Sequence, residues 1–363
     1  MMLHSLDRAQ LEADFRRMIF PLCAAAAPTG FETEAEEAVR TLLPASGFDL
    51  STDRLHNLIV HRPGRGPKVA VVAHLDEIGL IIRTIDHKGF LWFETIAGIR
   101  PQQLFGKHVV ILTETGHVDG VVNHSQPGRP SPCSEMPKNF ESFFIDVGAN
   151  SREEALAMGI EVGNPVVLDY PTLFLGKDKQ VVAGKALDDR ACLAQLISLC
   201  HLVAEDTDIP DFYAIFSTQE EVGGRGAIVA AQNIRPDIVI ALDMSLATDF
   251  PGIAERQMVN AQRAGVSIKV MDRSTGAACG LIADAEIVRS MKAICREHQL
   301  PYQIEAYAAG ATDASVMQTR AGGIRCGGIQ IPMRYVHSFE TAYIPDILDG
   351  IELLYYYVKS LAQ

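Results

Sequence analysis

The chain has 363 residues, 48% of them hydrophobic, enough to bury a substantial core and build two domains. Its formal net charge is -13, and no Lys/Arg cluster with interleaved aromatics occurs, which argues against nucleic acid and anionic membrane as partners. Seven scattered cysteines (Cys23, Cys133, Cys192, Cys200, Cys279, Cys295 and Cys326) include no CxxC pair, so they point to buried thiols in a reducing cytosol and not to disulfides or a thiolate zinc site.

Helical patterning opens the chain. Arg16-Arg17 and the apolar run to Ala27 resemble a signal peptide, but Pro21 interrupts the run and Glu12 and Asp14 precede it. With Pro28-Thr29-Gly30 following as a turn, the segment reads as a buried first helix. No segment has the uninterrupted apolar length needed to span a bilayer. A second helix is expected over 32–43 and strands over 58–61 and 69–73, separated by the turn-rich 62–67. From Gly79 to about Leu175 short β-rich runs recur at 80–85, 90–93, 108–112, 118–122, 143–147 and 166–168, with one helix at 151–158. That is the pattern of a small β barrel or sandwich. From Ala191, helices (191–204, 227–231, 284–298 and 346–360) alternate with strands (212–216, 238–242 and one near 329), which predicts an α/β sheet. The expected architecture is an α/β domain of residues 1–78 and 178–363, with helices on both faces of a mixed sheet, and an inserted β-rich, barrel-like domain at 79–177.

In an open parallel sheet the carboxyl ends of the strands face one crevice. Strand 69–73 runs into His74-Leu75-Asp76. Residues two apart on extended backbone share a face, so Asp76 can reach the ring nitrogen that His74 does not give to a metal. Asp188-Asp189 precede a helix, where the N-terminal dipole favours a carboxylate. Asp189 reads as readily as a helix cap; Asp188 is better placed as the shared carboxylate that two close cations need. Glu220-Glu221 follow an apolar strand, and adjacent carboxylates there repel unless a cation is present. Their side chains diverge, so one can bind metal while the other holds a water. Gly223-Gly224-Arg225-Gly226 has the look of a phosphate loop, but the two carboxylates upstream would repel phosphate. Asp243 ends an apolar run, where a buried carboxylate must be paired or coordinate a metal, and His337 supplies a second imidazole. Gly310-Ala311-Thr312-Asp313-Ala314 is a pocket-lining loop or a plain turn before a helix. Together these residues predict a site for two metal ions.

The ordered set AHLDEIG, ALDDR, TQEEVGGRGA, ALDMSLATDFPG, GATDAS and RYVHS resembles the M42 family of metallo-aminopeptidases over nearly the whole chain. The resemblance implies that His74, Asp188 and Asp243 hold one metal and Asp188, Glu221 and His337 the other. It makes Glu220 the general base and Asp76 the residue that orients His74. It also implies a peptide substrate and two divalent ions per subunit, for which these ligands suit zinc, cobalt or manganese. The inserted domain would mediate dimerisation, with dimers assembling to a dodecamer in the cytoplasm. The chain departs from the family at Gly224, Phe339, 262–266 and Ala308-Ala309-Gly310, loops expected to shape residue preference. Two other enzymatic readings stay open: a deacylase or amidohydrolase on small N-acyl compounds using the same metals, and an endoglucanase, the label some relatives carry. Glycosidase chemistry needs two carboxylates flanking the sugar bond and gives the histidines no task. A metal-holding scaffold without activity is a third alternative, opposed by the intact ligand set and Glu220.

Overall fold

The computed structural model describes residues 6–124, 139–273, 280–308 and 310–362; Cys133, Cys279 and Ala309 lie outside them. The chain starts with α1 (Arg8–Ala24) and α2 (Thr33–Leu42), then β1 (Asp49–Thr52), β2 (Leu58–Arg62) and β3 (Lys68–His74). Next come β4 (Gly79–Ile85), β5 (Leu91–Ile96), α3 (Pro101–Leu104), β6 (His108–Thr113), β7 (Gly116–His124), β8 (Phe143–Asp146), α4 (Arg152–Ala157) and β9 (Pro165–Leu168). They are followed by β10 (Leu173–Leu175), β11 (Val181–Gly184), α5 (Leu187–Val203), β12 (Asp211–Ser217), α6 (Arg225–Ile234) and β13 (Ile238–Leu246). The chain closes with β14 (Val266–Met271), α7 (Ala285–His298), β15 (Tyr302–Ala306), α8 (Asp313–Met317), β16 (Arg325–Arg334), β17 (Glu340–Tyr343) and α9 (Ile344–Ser360).

Strands β4, β5, β8, β7, β6 and β9 close into a six-stranded barrel around Leu80, Ile82, Phe93, Ile111, Ile145 and Val166. Among the described residues, the other eleven strands form one mixed sheet drawn from both sides of the barrel segment. Its centre, β12-β3-β13-β16, is parallel, with Ser217 beside His74 and Ala241 beside Val72. That register brings the chain beyond β3, the chain beyond β12, and Asp243 of β13 to one edge.

Alternation on β3 sorts its side chains between two cores. Val69, Val71 and Ala73 pack under α1, α5, α7 and α9, while Ala70 and Val72 pack under α6 and α8. Period-2 alternation with apolar residues at every position is what a strand covered on both faces requires. The α/β sheet with helices on both faces and the barrel-like insert expected from sequence are both present. Six strands escaped the sequence reading: β1, β10, β11, β14, β15 and β17. β1 is exposed at every position and mostly polar, and β10 is three residues long, so neither carries a core pattern. β14 and β15 present Ser267, Lys269 and Glu305 to a buried polar cluster, which breaks the apolar signature.

Candidate metal centre

Each candidate ligand is set by local backbone. His74 ends β3, and its backbone N–H donates to Asp189 Oδ2 at 3.1 Å. Its Nδ1 donates to the Asp76 backbone carbonyl at 3.0 Å, with the Asp76 carboxylate 3.5 Å away. That leaves Nε2 facing Asp188 Oδ1 at 3.2 Å. The nearest partner of Nδ1 is therefore the main chain of Asp76. Its carboxylate accepts from Thr29 Oγ1 at 2.8 Å and from the backbone N–H groups of Glu220 and Glu221 at 2.9 and 3.1 Å. Asp76 thus ties the end of β3 to the turn after β12.

That turn begins at Gln219, whose φ is 57°, and closes when Gly223 and Gly224 donate to the Glu220 carbonyl at 2.8 and 2.9 Å. At Gly226 an added Cβ would lie 2.2 Å from Asn57 Oδ1 and 2.5 Å from the Thr218 carbonyl, so only glycine lets the following helix start there. The GGRG stretch thus serves the close packing of a turn that carries Glu220 and Glu221. Asp188 and Asp189, joined by a cis peptide bond, lie at the entrance to α5. Asp243 sits inside β13, three residues before the strand ends at Leu246. The sequence reading ended that strand at Leu242, just before Asp243. His337 lies between β16 and β17 and donates from Nδ1 to the Gly98 carbonyl of the barrel segment at 3.0 Å.

Two clusters of possible ligands result, in each of which the ligand atoms lie within 4.8 Å of one another. One comprises His74, Asp188, Asp189 and Asp243; the other comprises Asp188, Glu221 and His337. They share Asp188, whose Oδ2 is 3.5 Å from His337 Nε2, while Glu221 Oε1 is 3.1 Å from the same nitrogen. Asp189, read from sequence as a cap, is fully buried and joins the first cluster; its Oδ1 has no hydrogen-bond partner.

The electrostatics are those of an anionic cage. Burial opposes ionisation of Asp188, but His337 and His74 overcome it and hold its carboxyl well below the usual range. Burial, Asp188 and the other carboxylates push Asp243 and Asp189 well above theirs. Burial also lifts Glu220, with Asp243, Asp313 and Glu221 adding to it against the opposing pull of His74. Burial disfavours the imidazolium of His74 and of His337, yet Asp188 beside both, with Asp76 and Glu221, raises them well above the histidine range. Carboxylates crowded this closely cannot all ionise without compensating positive charge. Two imidazoles, a shared carboxylate and an unpartnered buried oxygen fit divalent cations by donor type and by charge.

Sequence reasoning missed Glu340, which is 2% exposed and accepts from the backbone N–H of Asp188 at 3.0 Å and of His337 at 2.7 Å. It also missed the buried Lys185–Glu77 pair (2.6 Å) that underlies the segment after Asp76. Neither has a sequence signature, because each acts on main chain brought in from elsewhere. Asp313 of the small-residue loop is buried and accepts from Ser217 Oγ; burial pushes its carboxyl up to about 6. The crevice beside Asp243 and His337 opens into a cavity of about 710 Å³.

A family model described as M42 glutamyl aminopeptidase matches residues 56–353. A lysyl aminopeptidase of Pyrococcus furiosus is 31% identical over 84% of this chain and 85% of its own. An aminopeptidase of the archaeon Desulfurococcus kamchatkensis superposes with a TM-score of 0.90 at 30% identity, over 96% of this chain and 95% of its own. A TET peptidase of Pyrococcus horikoshii, which can assemble into a tetrahedron or a large octahedral shell, superposes with a TM-score of 0.82 at 25% identity, over 95% and 99% of the two chains.

Proposed function

Because this chain belongs to the M42 glutamyl aminopeptidase family, a family of peptide-bond hydrolases, we propose that it is a dinuclear metal-dependent aminopeptidase. The observation that carries this reading is Asp188, with one oxygen towards His74 and the other towards His337, common to two ligand clusters. His74, Asp188 and Asp243 would hold one ion and Asp188, Glu221 and His337 the other, with Asp189 within reach of the first. When bound, the two cations would polarise the scissile carbonyl and make a water acidic enough to attack near neutral pH.

The remaining work falls to side chains. Glu220, fixed through its backbone N–H to Asp76, takes the proton from the attacking water and delivers it to the leaving amine. Burial and the neighbouring carboxylates raise its proton affinity in the metal-free protein. Asp76 holds the glutamate turn in register with His74. The Gly98 carbonyl fixes the His337 tautomer, leaving Nε2 towards Asp188 and Glu221.

We further assign residues 79–177 as the dimerisation domain of a homo-oligomer. Exposed Phe105, Val121, Leu156 and Val162 on that segment and the assembly of the related TET peptidase support this. The buried free thiols accord with a reducing, cytoplasmic setting. Adjacent Glu220 and Glu221 cannot flank a sugar bond from opposite sides, which argues against the endoglucanase reading.

The test is hydrolysis of one unstructured peptide with a free or an acetylated amino terminus, before and after chelation and after return of zinc, cobalt or manganese. A ladder shortened from the free end, lost on chelation and restored by metal, is expected. Full turnover without metal would overturn the metal reading. Equal cleavage of the acetylated peptide would favour a deacylase or an endopeptidase.

A further inference from the structure

Beside the candidate metal centre, the cavity has an apolar wall and a charged floor. Met244, Leu246, Phe250 and Tyr335 line it together with Asp243 and His337, so a side chain entering there would stand next to the reacting bond. At its floor lie Lys269 of β14 and Glu305 of β15, partners in register, with Nζ and Oε1 2.7 Å apart. Their side chains are 5% and 1% exposed. The second glutamate oxygen is also engaged, accepting from Asn260 Nδ2 at 3.1 Å and Ser267 Oγ at 3.4 Å. Gly328 makes room for the lysine stem, since a Cβ there would lie 3.1 Å from Lys269 Cβ. Arg100 also borders the cavity, but it is exposed to solvent, where water screens its charge.

A buried ion pair of this kind offers no spare counter-charge. A charged side chain pushed against it would lose its hydration and gain no unpaired partner. An uncharged side chain loses little hydration and buries against the apolar wall. We infer that the cavity accepts the side chain of an uncharged amino-terminal residue, and that the Lys269–Glu305 pair is the charge-neutral floor that disfavours lysyl, arginyl, glutamyl and aspartyl termini. This rests on the aminopeptidase reading above. It sets this chain apart from relatives named lysyl and glutamyl aminopeptidase. The pair acts by exclusion, so removing either charge should redirect preference in a stated direction.

The experiment measures kcat/KM of the metal-loaded enzyme on leucyl, methionyl, lysyl and glutamyl p-nitroanilides, with binding of the free amino acids followed by calorimetry. Wild type should favour leucyl or methionyl over lysyl and glutamyl substrates by roughly tenfold or more. Lys269→Met leaves a carboxylate facing the cavity and should raise the lysyl-to-leucyl ratio by about tenfold, chiefly through KM. Glu305→Gln frees the ammonium and should raise the glutamyl-to-leucyl ratio by a similar factor, about tenfold. If either single variant fails to fold, the double variant Lys269→Met, Glu305→Gln decides, because it should keep the wild-type preference for uncharged residues. Wild-type preference for lysyl or glutamyl substrates, or a double variant that turns to charged ones, would overturn the inference while leaving an aminopeptidase. Absence of hydrolysis on every free amino terminus would overturn the aminopeptidase reading and this inference with it.

Discussion

Glu340 offers a test of whether both proposed metal clusters depend on one residue that binds neither. It opens β17 and accepts the Asp188 N–H with Oε2 at 3.0 Å and the His337 N–H with Oε1 at 2.7 Å. Asp188 is common to the two clusters and His337 belongs to the second, so one side chain sets the backbone of ligands to both. Glu340→Ala would leave the buried Asp188 N–H and the part-buried His337 N–H without partners. At about 1–3 kcal/mol for the buried group, and less for the one that water can reach, the loss is roughly 1–4 kcal/mol, before any cost of the cavity left behind. Glu340→Gln keeps one acceptor oxygen and should lose about half as much. Denaturant unfolding of metal-free protein reads the stability change without a contribution from ion binding, and elemental analysis of the purified, metal-loaded protein reads occupancy. Both should fall in the order wild type, Gln, Ala. A Glu340→Ala protein within about 0.5 kcal/mol of wild type and fully occupied would refute the argument, since a change of that size is typical of an unimportant surface position.

Glu220→Gln should keep both metals and the fold while losing about a hundredfold to ten-thousandfold in kcat; near-normal turnover would remove Glu220 from the role of base. Asp188→Asn should instead lose metal occupancy, read by elemental analysis. Asp284 caps α7 by accepting from the N–H groups of Glu286 and Ile287 at 2.9 and 3.2 Å, and pairing with Arg325 holds its carboxyl down at about 2. Because its folded pKa lies below the unfolded value, its stabilisation is present above the ordinary carboxylate range and is lost as pH falls towards 2. Asp284→Ala should therefore cost about 1 kcal/mol at neutral pH, and this gap should narrow in unfolding experiments as pH falls from about 4 towards 2. Light scattering at micromolar concentration should find a homo-oligomer that becomes smaller when charges replace Phe105 and Val121; a monomeric wild type would contradict the assembly proposal.

Much of the fold was legible because the strands that matter most are covered on both faces. Val69–Ala73 and Phe212–Phe216 are continuous apolar runs, and such runs end abruptly where the chain meets the crevice. The barrel was legible through the closer spacing of its short strands and turn residues. Most of what escaped detection answers to something other than the core, while β11, with Val182 and Ala183 buried, is a four-residue run too short to carry a pattern. β14 alternates Val266, Ile268 and Val270 with Ser267 and Lys269, the pattern of a half-buried strand that the sequence reading passed over, and its polar side faces a buried cluster and not water. The strand signal depends on which solvent each face meets, and a polar interior counterfeits an exterior.

The same principle explains the uneven legibility of the site. Ligand-type side chains at strand ends are conspicuous, because an ionisable group that terminates an apolar run needs a chemical reason to be there. His74, Glu221 and Asp243 have that form, and the structure gathers all three with Asp188 and His337. The residues that fix them do not have it. Glu340 lies in Phe339-Glu340-Thr341-Ala342, an ordinary alternating stretch, and reaches main-chain N–H groups whose need for an acceptor no side chain advertises. Gly98 contributes a carbonyl, which every residue possesses, and its lack of a side chain is what allows His337 Nδ1 to approach. Lys269 and Glu305 are separated by 36 positions in sequence and become a pair only through the parallel register of two strands, neither of which the sequence reading had found. A ligand is recognised by what it is, whereas a positioning residue is recognised by where its partner lies, and that information enters only with the topology.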